Sequence, residues 1–260
     1  MENYGICLLS IVPCRKEPSS TSEMVTQLLF GETYSITEER DEWVKITSTF
    51  DSYPCWISKK QHYSLSVKQF KTLNSDVMSN ELVQVIQSAN KETIFPLTIG
   101  ATLPNFKNNT VSIADINYTF EGNTINFNAA NSTTINNLKQ TAYLFLNAPY
   151  LWGGRSPFGI DCSGFTQLVF KLNGTKIPRD ASQQVELGLT LNFVEEAEVG
   201  DLAFFDNEQG NIVHVGLVLD NQHIIHASGS VRIDKFDHYG IFHSENKKYS
   251  HSLRVIKRII

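Results

Sequence analysis

Short apolar runs separated by turn residues fill the first quarter of the chain. Residues 5–12, 24–29, 33–36, 43–46 and 54–57 are rich in aliphatic, β-branched and aromatic side chains, and Gly, Pro, Ser and Asp punctuate the gaps. This spacing predicts a small β-barrel over residues 1–65. The signal weakens beyond Ser66. Residues 74–89 place Val77, Leu82, Val83 and Ile86 at helical spacing, whereas 95–104 and 117–123 read as strands and turns, so a second small β unit is expected over 66–131. Near Asn131 the texture changes. Ile135, Leu138, Ala142 and Phe145 recur at helical spacing, with Ser132 to Thr134 as capping candidates. A Gly-rich turn at 152–159 precedes a second amphipathic helix carrying Phe165, Leu168, Val169 and Leu172 on one face. Strands follow at 202–205, 213–219, 223–227, 231–233 and 253–259. Helices followed by a meander of strands make 132–260 an α+β domain.

Composition narrows the class. Of 260 residues, 41% are hydrophobic and 19% charged, enough apolar material for more than one core and too much for a disordered chain. With 22 Lys and Arg against 27 Asp and Glu, the net charge is −5, ill suited to nucleic acid or an anionic membrane. Glu2 stands where a secretory signal has its basic head, and the apolar run from Ile6 is interrupted by Ser10 and closed by Pro13. No apolar stretch approaches bilayer length. A soluble, cytoplasmic protein is therefore expected, exported only if a leader precedes this sequence; the oligomeric state is not fixed by the sequence, with a monomer favoured. The cysteines are Cys7, Cys14, Cys55 and Cys162, with no C-x-x-C pair. A disulfide among the first three stays open as an alternative to free thiols.

Cys162 follows the Gly-rich turn and opens the second predicted helix. Unpaired N–H groups at a helix N-terminus stabilise a thiolate, so this position suits a nucleophile with a lowered pKa; a buried structural cysteine is the other reading. His214 and His226 interrupt two apolar strands separated by a turn near Asp220 and Asn221. Strands folded about residue 220 set 214 opposite 226 with both side chains on one face. A general base and its orienting partner need that arrangement, and two hydrogen-bonded core histidines would share it. By parity His223 faces the other way. His238, His243 and His251 lie in polar, loop-like sequence and receive no role. One cysteine and two histidines could also hold zinc as a three-ligand site, though no metal or cofactor is expected.

These pieces resemble the NlpC-type family of bacterial cell-wall cysteine peptidases, which share a pared-down papain-like fold. The resemblance runs from about 140 to 235. It rests on Tyr150-Leu-Trp152-Gly-Gly, Asp161-Cys-Ser-Gly-Phe, Pro178-Arg-Asp-Ala-Ser-Gln, Gly200-Asp-Leu-Ala-Phe-Phe, His214-Val-Gly-Leu-Val and Ile225-His-Ala, in this order. It implies Cys162 as nucleophile, His214 as base and His226 as orienting residue. It implies an oxyanion site from the Cys162 N–H and the Tyr150 hydroxyl. Trp152, Asp161, Ser163, Arg179, Asp180 and Ser182 become substrate contacts, with Arg179 alternatively tying its turn to an acid.

The front of the chain resembles bacterial SH3-like domains through Arg15-Lys-Glu-Pro-Ser-Ser, Gln27-Leu-Leu-Phe-Gly-Glu, Trp43-Val-Lys-Ile and Asp51-Ser-Tyr-Pro-Cys-Trp-Ile. The middle region fits a divergent second copy. This order resembles the γ-D-glutamyl-L-diamino-acid endopeptidases of the YkfC type, which cut murein peptides beginning with a free L-Ala. It implies Glu17 and Tyr53 as acceptors for the peptide's ammonium, and a role in peptidoglycan recycling or turnover. An acyltransferase or amidase on the same scaffold, an exported wall-remodelling hydrolase and an inactive binding module are the competing expectations.

Overall fold

A computed structural model describes residues 3–90, 92–128, 135–244 and 246–260. The chain forms two compact units, residues 1–131 with 153–157, and residues 132–152 with 158–260. Among the described residues no helix is long and apolar enough to cross a membrane.

The first unit begins with seven antiparallel strands: β1 (Asn3–Ile6), β2 (Ile11–Arg15), β3 (Met24–Leu29), β4 (Thr33–Arg40), β5 (Trp43–Ser48), β6 (Pro54–Ser58) and β7 (Tyr63–Leu65). Their order in the sheet is β3-β2-β6-β5-β4-β1-β7. Strict alternation in β5 turns Val44, Ile46 and Ser48 inward. The predicted run 5–12 is two strands, because the chain turns at 7–10, where Gly31 N–H and Cys7 N–H are bonded to Cys7 O and Glu32 O. Cys7, Cys14 and Cys55 are free thiols in the buried core against this sheet, so the disulfide alternative falls away.

The helix expected over 74–89 is not formed. That segment is β8 (Val77–Ser79) and β9 (Val83–Ser88). β-branched Val83, Val85 and Ile86 favour extended backbone, and β9 pairs with β10 (Ile94–Thr98) and β12 (Ile116–Thr119). The helix of this region is earlier, α1 (Val67–Thr72), started by a capping box between Ser66 and Gln69. β11 (Thr110–Ile113) completes a four-stranded sheet, and β13 (Thr124–Asn126) pairs with β8. One apolar cluster joins the two parts of this unit. Ile6, Phe30 and Leu65 share it with Ile86, Leu97, Val111 and Phe120.

Residues 153–157 also belong here. Gly153 has φ +75°, and a Cβ there would meet Met24 O at 2.3 Å, so only glycine fits. In the short strand β14 (Arg155–Ser156), the buried Arg155 guanidinium donates to both Glu32 oxygens at 2.9 and 3.0 Å and to Gln27 O at 2.6 Å.

The second unit contains α2 (Ile135–Leu144), β15 (Gly159–Ile160), α3 (Cys162–Leu172) and α4 (Ala181–Gln184). Leu138, Ala142 and Phe145 are buried as their spacing required, whereas the capping candidates 132–134 lie outside the described residues. α3 is not amphipathic in place. All eleven of its residues are buried, Gln167 and Lys171 included, because α2, α4 and the sheet cover it. The sheet contains β16 (Leu189–Leu191), β17 (Leu202–Asp206), β18 (Ile212–Asp220), β19 (His223–Ser228), β20 (Ser230–Asp237), β21 (Gly240–His243) and β22 (Lys248–Arg258). Its order is β16-β22-β17-β18-β19-β20-β21, and β22 also pairs with β21, which closes six strands into a barrel rather than an open meander. β22 begins five residues earlier than the apolar pattern suggested, since its first half pairs with β21 but keeps a polar outer surface. His251 is thereby a strand residue, not a loop residue.

Candidate active site

Cys162 is the first residue of α3, a position set by Asp161. Asp161 is extended (φ −93°, ψ 176°) and its Oδ1 accepts the Gly164 N–H at 2.7 Å. Its carboxylate also takes Arg179 as a fork, Nη1 to Oδ1 at 3.0 Å and Nη2 to Oδ2 at 2.6 Å. Arg179 is 1% exposed and donates further to Ser163 Oγ at 2.9 Å, so it ties its turn to an acid beneath the helix start. Gln184 of α4 closes the same corner, donating to Ser163 O and Pro178 O and accepting from Thr166 Oγ1.

The Cys162 thiol is buried, with the backbone N–H groups of Val215 of β18 and of Ser163 beside it. Burial, then the Asp161 carboxylate, push its pKa up to about 12; the two N–H groups and Arg179 pull the other way without overcoming them. The lowered thiol pKa expected from a helix N-terminus is therefore not the resting condition: desolvation outweighs the helix end, and the thiol holds its proton. The half-buried Tyr150 hydroxyl is likewise raised to about 12, by burial and then by Cys162 and Asp161. It stays a donor at neutral pH, within the field of the thiol.

His214 lies on β18 and His226 on β19, both buried. Their rings meet with His214 Nε2 2.8 Å from His226 Nδ1. The register differs from the expected one. The hairpin turns at 221–222 rather than at 220, and with a bulge near Leu219 this sets His226 opposite Gly216, so the histidines contact along a diagonal, two residues out of step. Gly216 permits this, since a Cβ there would meet His226 Cβ at 2.9 Å and Ile224 Cδ1 at 2.6 Å. Burial lowers His214 well below the ordinary histidine pKa, and the neighbouring His226 and His251 lower it further. The ring is a neutral imidazole.

Three residues that the sequence reading passed over complete the cluster. His226 Nε2 is 3.0 Å from Asp234 Oδ2 on β20, again diagonally, since His226 faces Arg232 in the register. Arg232 grips Asp234 with Nε to Oδ2 at 2.7 Å and Nη2 to Oδ1 at 3.0 Å. His251 of β22 stacks on His214 with ring centroids 4.2 Å apart and 25° between planes. The acid that follows Val231 and Ile233 in an alternating strand was a local signal for Asp234. Nothing local announced His251, whose placement depends on closure of the barrel.

The remaining expected contacts are not gathered at the thiol in the same way. Trp152 is 58% exposed, Ser182 is exposed on α4 and Asp180 is half-buried at its start. His223 is on the outer surface beside Asp220, at 2.9 Å from its Oδ1. Glu17 and Tyr53 are in the first unit, Glu17 an exposed turn residue and Tyr53 half-buried.

A buried thiol at a helix start, a hydroxyl donor near it and a hydrogen-bonded imidazole pair on the adjoining strands can carry out acyl transfer. Comparison with known proteins points the same way. Residues 147–251 match the NlpC/P60 family, and residues 14–61 match the bacterial dipeptidyl-peptidase Sh3 domain. The chain is 33% identical over 240 residues to the γ-D-glutamyl-L-lysine dipeptidyl-peptidase of Bacillus subtilis (strain 168), covering 87% of this chain and 75% of that protein. It is 27% identical to the protein of that name from Bacillus cereus (strain ATCC 10987 / NRS 248), covering 82% and 70%. An NlpC/P60 family protein from Bacillus cereus ATCC 10987 has the same fold, with a TM-score of 0.85 at 21% identity over 98% of this chain and 99% of that one.

Proposed function

This chain belongs to the NlpC/P60 family and is a cysteine peptidase with an N-terminal SH3-type domain, and from that premise we propose that it cleaves the γ-D-Glu–diamino acid bond of murein peptides with a free N-terminal L-Ala. The observation that carries the chemistry is the buried His214–His226 pair at 2.8 Å, with His214 on β18 next to Val215, whose backbone N–H is beside the Cys162 thiol. The name and coverage of the Bacillus subtilis relative support the substrate class.

In this reading Cys162 is the nucleophile and His214 the base. Because thiol and imidazole are both neutral at rest, the proton passes from Sγ to His214 as the sulfur attacks the γ-carbonyl carbon. The tetrahedral oxygen takes the Cys162 N–H and the Tyr150 hydroxyl as donors. Collapse breaks the C–N bond, His214 returns the proton to the leaving amine, and an acyl-enzyme remains. Water, deprotonated by His214, then attacks the acyl carbon, the C–S bond breaks to release the product carboxylate, and His214 returns the proton to Sγ. His226 orients His214 and shares its transient charge.

Trp152, Ser163, Asp180 and Ser182 are proposed substrate contacts. Asp161 and Arg179, locked to each other, contribute by holding the site's backbone. Glu17 and Tyr53 are proposed as acceptors for the ammonium of L-Ala. The proposed domain division is 1–65 and 66–131, two SH3-like copies, then the peptidase domain 132–260. A substrate released from the wall as free peptide fits peptidoglycan recycling or turnover.

The test is cleavage of L-Ala-γ-D-Glu-diaminopimelate and of its lysine counterpart, each with a free and an N-acetylated amine. The expected result is cleavage of the free peptides only, none by Cys162→Ala, and a raised KM for Glu17→Gln. Equal cleavage of the acetylated peptides removes ammonium recognition, and no cleavage of any peptide removes the substrate assignment.

A further inference from the structure

We infer that Asp234, clamped by Arg232, is a positioning residue that sets the proton tautomers of both histidines and so leaves the Nδ1 lone pair of His214 as the base. The inference rests on the peptidase reading only for its effect on rate; the proton arrangement stands on geometry.

The argument follows the donors. Asp234 is buried, and both its oxygens are taken by Arg232, Oδ1 by Nη2 and Oδ2 by Nε. Burial opposes its charge, but the hydrogen bonds from His226 and Arg232 prevail and hold its carboxyl below the usual range. An ionised carboxylate only accepts. His226 Nε2, 3.0 Å from Oδ2, must therefore carry the proton. An imidazole whose one N–H is drawn to Nε2 by this carboxylate has Nδ1 as an acceptor. His214 Nε2, 2.8 Å away, must then donate. That leaves His214 Nδ1 unprotonated, the state a general base requires.

The opposite arrangement has the same heavy-atom distances. With its proton on Nδ1, His226 would donate to His214 Nε2 and move the His214 proton to Nδ1, where it blocks proton transfer from the thiol. Two histidines alone do not choose between these states; an obligate acceptor at the end of the line does. The other neighbours leave the choice to Asp234. His251 meets His214 face to face, its Nδ1 2.8 Å from Ser250 Oγ, and Phe205 packs beside it. Each link is a diagonal contact between neighbouring strands, so the register of β18, β19 and β20 fixes the line as a unit.

The experiment is nitrogen NMR on the full chain with 15N-labelled histidine, together with kcat and KM, for the wild type, Asp234→Ala and Asp234→Asn. In the wild type His214 and His226 are both expected as the Nε2–H tautomer. Asp234→Ala is expected to populate Nδ1–H in both and to lower kcat between roughly 10²- and 10⁴-fold, the range for loss of an orienting carboxylate, with KM little changed. Asp234→Asn is expected to keep the tautomers and recover most of the rate, because two donors converge on the Oδ2 position and hold the amide oxygen there. Unchanged tautomers in Asp234→Ala overturn the inference, as does a loss of rate in Asp234→Asn equal to that in Asp234→Ala. Asp234→Ser, polar but without an obligate acceptor, gives the same NMR readout should the alanine variant not fold. If the tautomers respond as expected while the wild type cuts no murein peptide, the substrate reading fails and the proton arrangement stands.

Discussion

His214 sits among other imidazoles, His226 at its Nε2 and His251 stacked on its face, with Phe205 beside it. Such company makes a second proton costly, and burial adds to the cost. As pH falls through this depressed pKa, His214 gains the proton that it must instead take from Cys162, and turnover stops. The acid limb of kcat/KM is therefore expected below pH 6.5, the ordinary histidine value. His251 is itself lowered to about 4, by burial and then by His226, so it is neutral through the working range. His251→Phe keeps a stacked, buried ring on His214 and, because His251 carries no charge through the working range, is expected to leave the limb where burial sets it. A pH–rate profile whose acid limb moves up toward 6.5 in this variant would show instead that His251 opposes the protonation of His214 by charge. Asp234 and Arg232 remain unchanged in that variant and hold the opposite charges in the cluster. At this scale Cys162, His214 and His226 were legible because nucleophile and base are rare residue types set in apolar surroundings. The protonation states were not, because burial decides them.

At the scale of elements, the helix start under Cys162 depends on one carboxylate. Asp161 caps α3 through Gly164 and neutralises the buried Arg179. Removing it takes from the buried guanidinium the carboxylate that grips it as a fork. Asp161→Ala is expected to destabilise the second unit by about 3–5 kcal/mol, dominated by the loss of this buried ion pair, and to be seen as a lowered Tm. Asp161→Asn, which keeps the cap acceptor but not the charge, is expected to fall between. A loss below about 1 kcal/mol in the alanine variant would leave only the cap's contribution. The sequence announced this element through the Gly-rich turn before Cys162 and the apolar spacing behind it. It misread 74–89 because Val77, Leu82, Val83 and Ile86 satisfy a helical period while the β-branched run suits a strand; pairing of β9 with β10 and β12 settled the matter. The Ser66–Gln69 capping box marked the actual helix.

Across the whole chain, the first unit has a core that neither of its β parts could close alone. Phe30 sits in that shared cluster, with Phe95 at 5.8 Å and Tyr118 at 5.5 Å between ring centroids. Phe30→Ala is expected to destabilise the unit by about 3–5 kcal/mol. Strands β1–β7 and β8–β13 should lose protection together, as hydrogen exchange would report. Loss of protection confined to β1–β7 would mean that the two parts unfold independently. The first unit also takes in residues 153–157, through Gly153 against Met24 and the Arg155–Glu32 ion pair. The Gly-rich turn was visible in the sequence, but its partners lie more than 120 residues earlier in the chain.

The sequence by itself determined the broad order of elements outside residues 66–89, the cysteine at a helix start and two histidines on adjoining strands. Capping, period-two alternation and helical spacing act over a few residues and leave their mark in local composition. Tertiary structure alone decided the diagonal line from His214 to Asp234, the stack of His251, the closed barrel and the protonated resting thiol. Each of these depends on strand register between distant segments or on exclusion of water, and neither is written in any short stretch of chain.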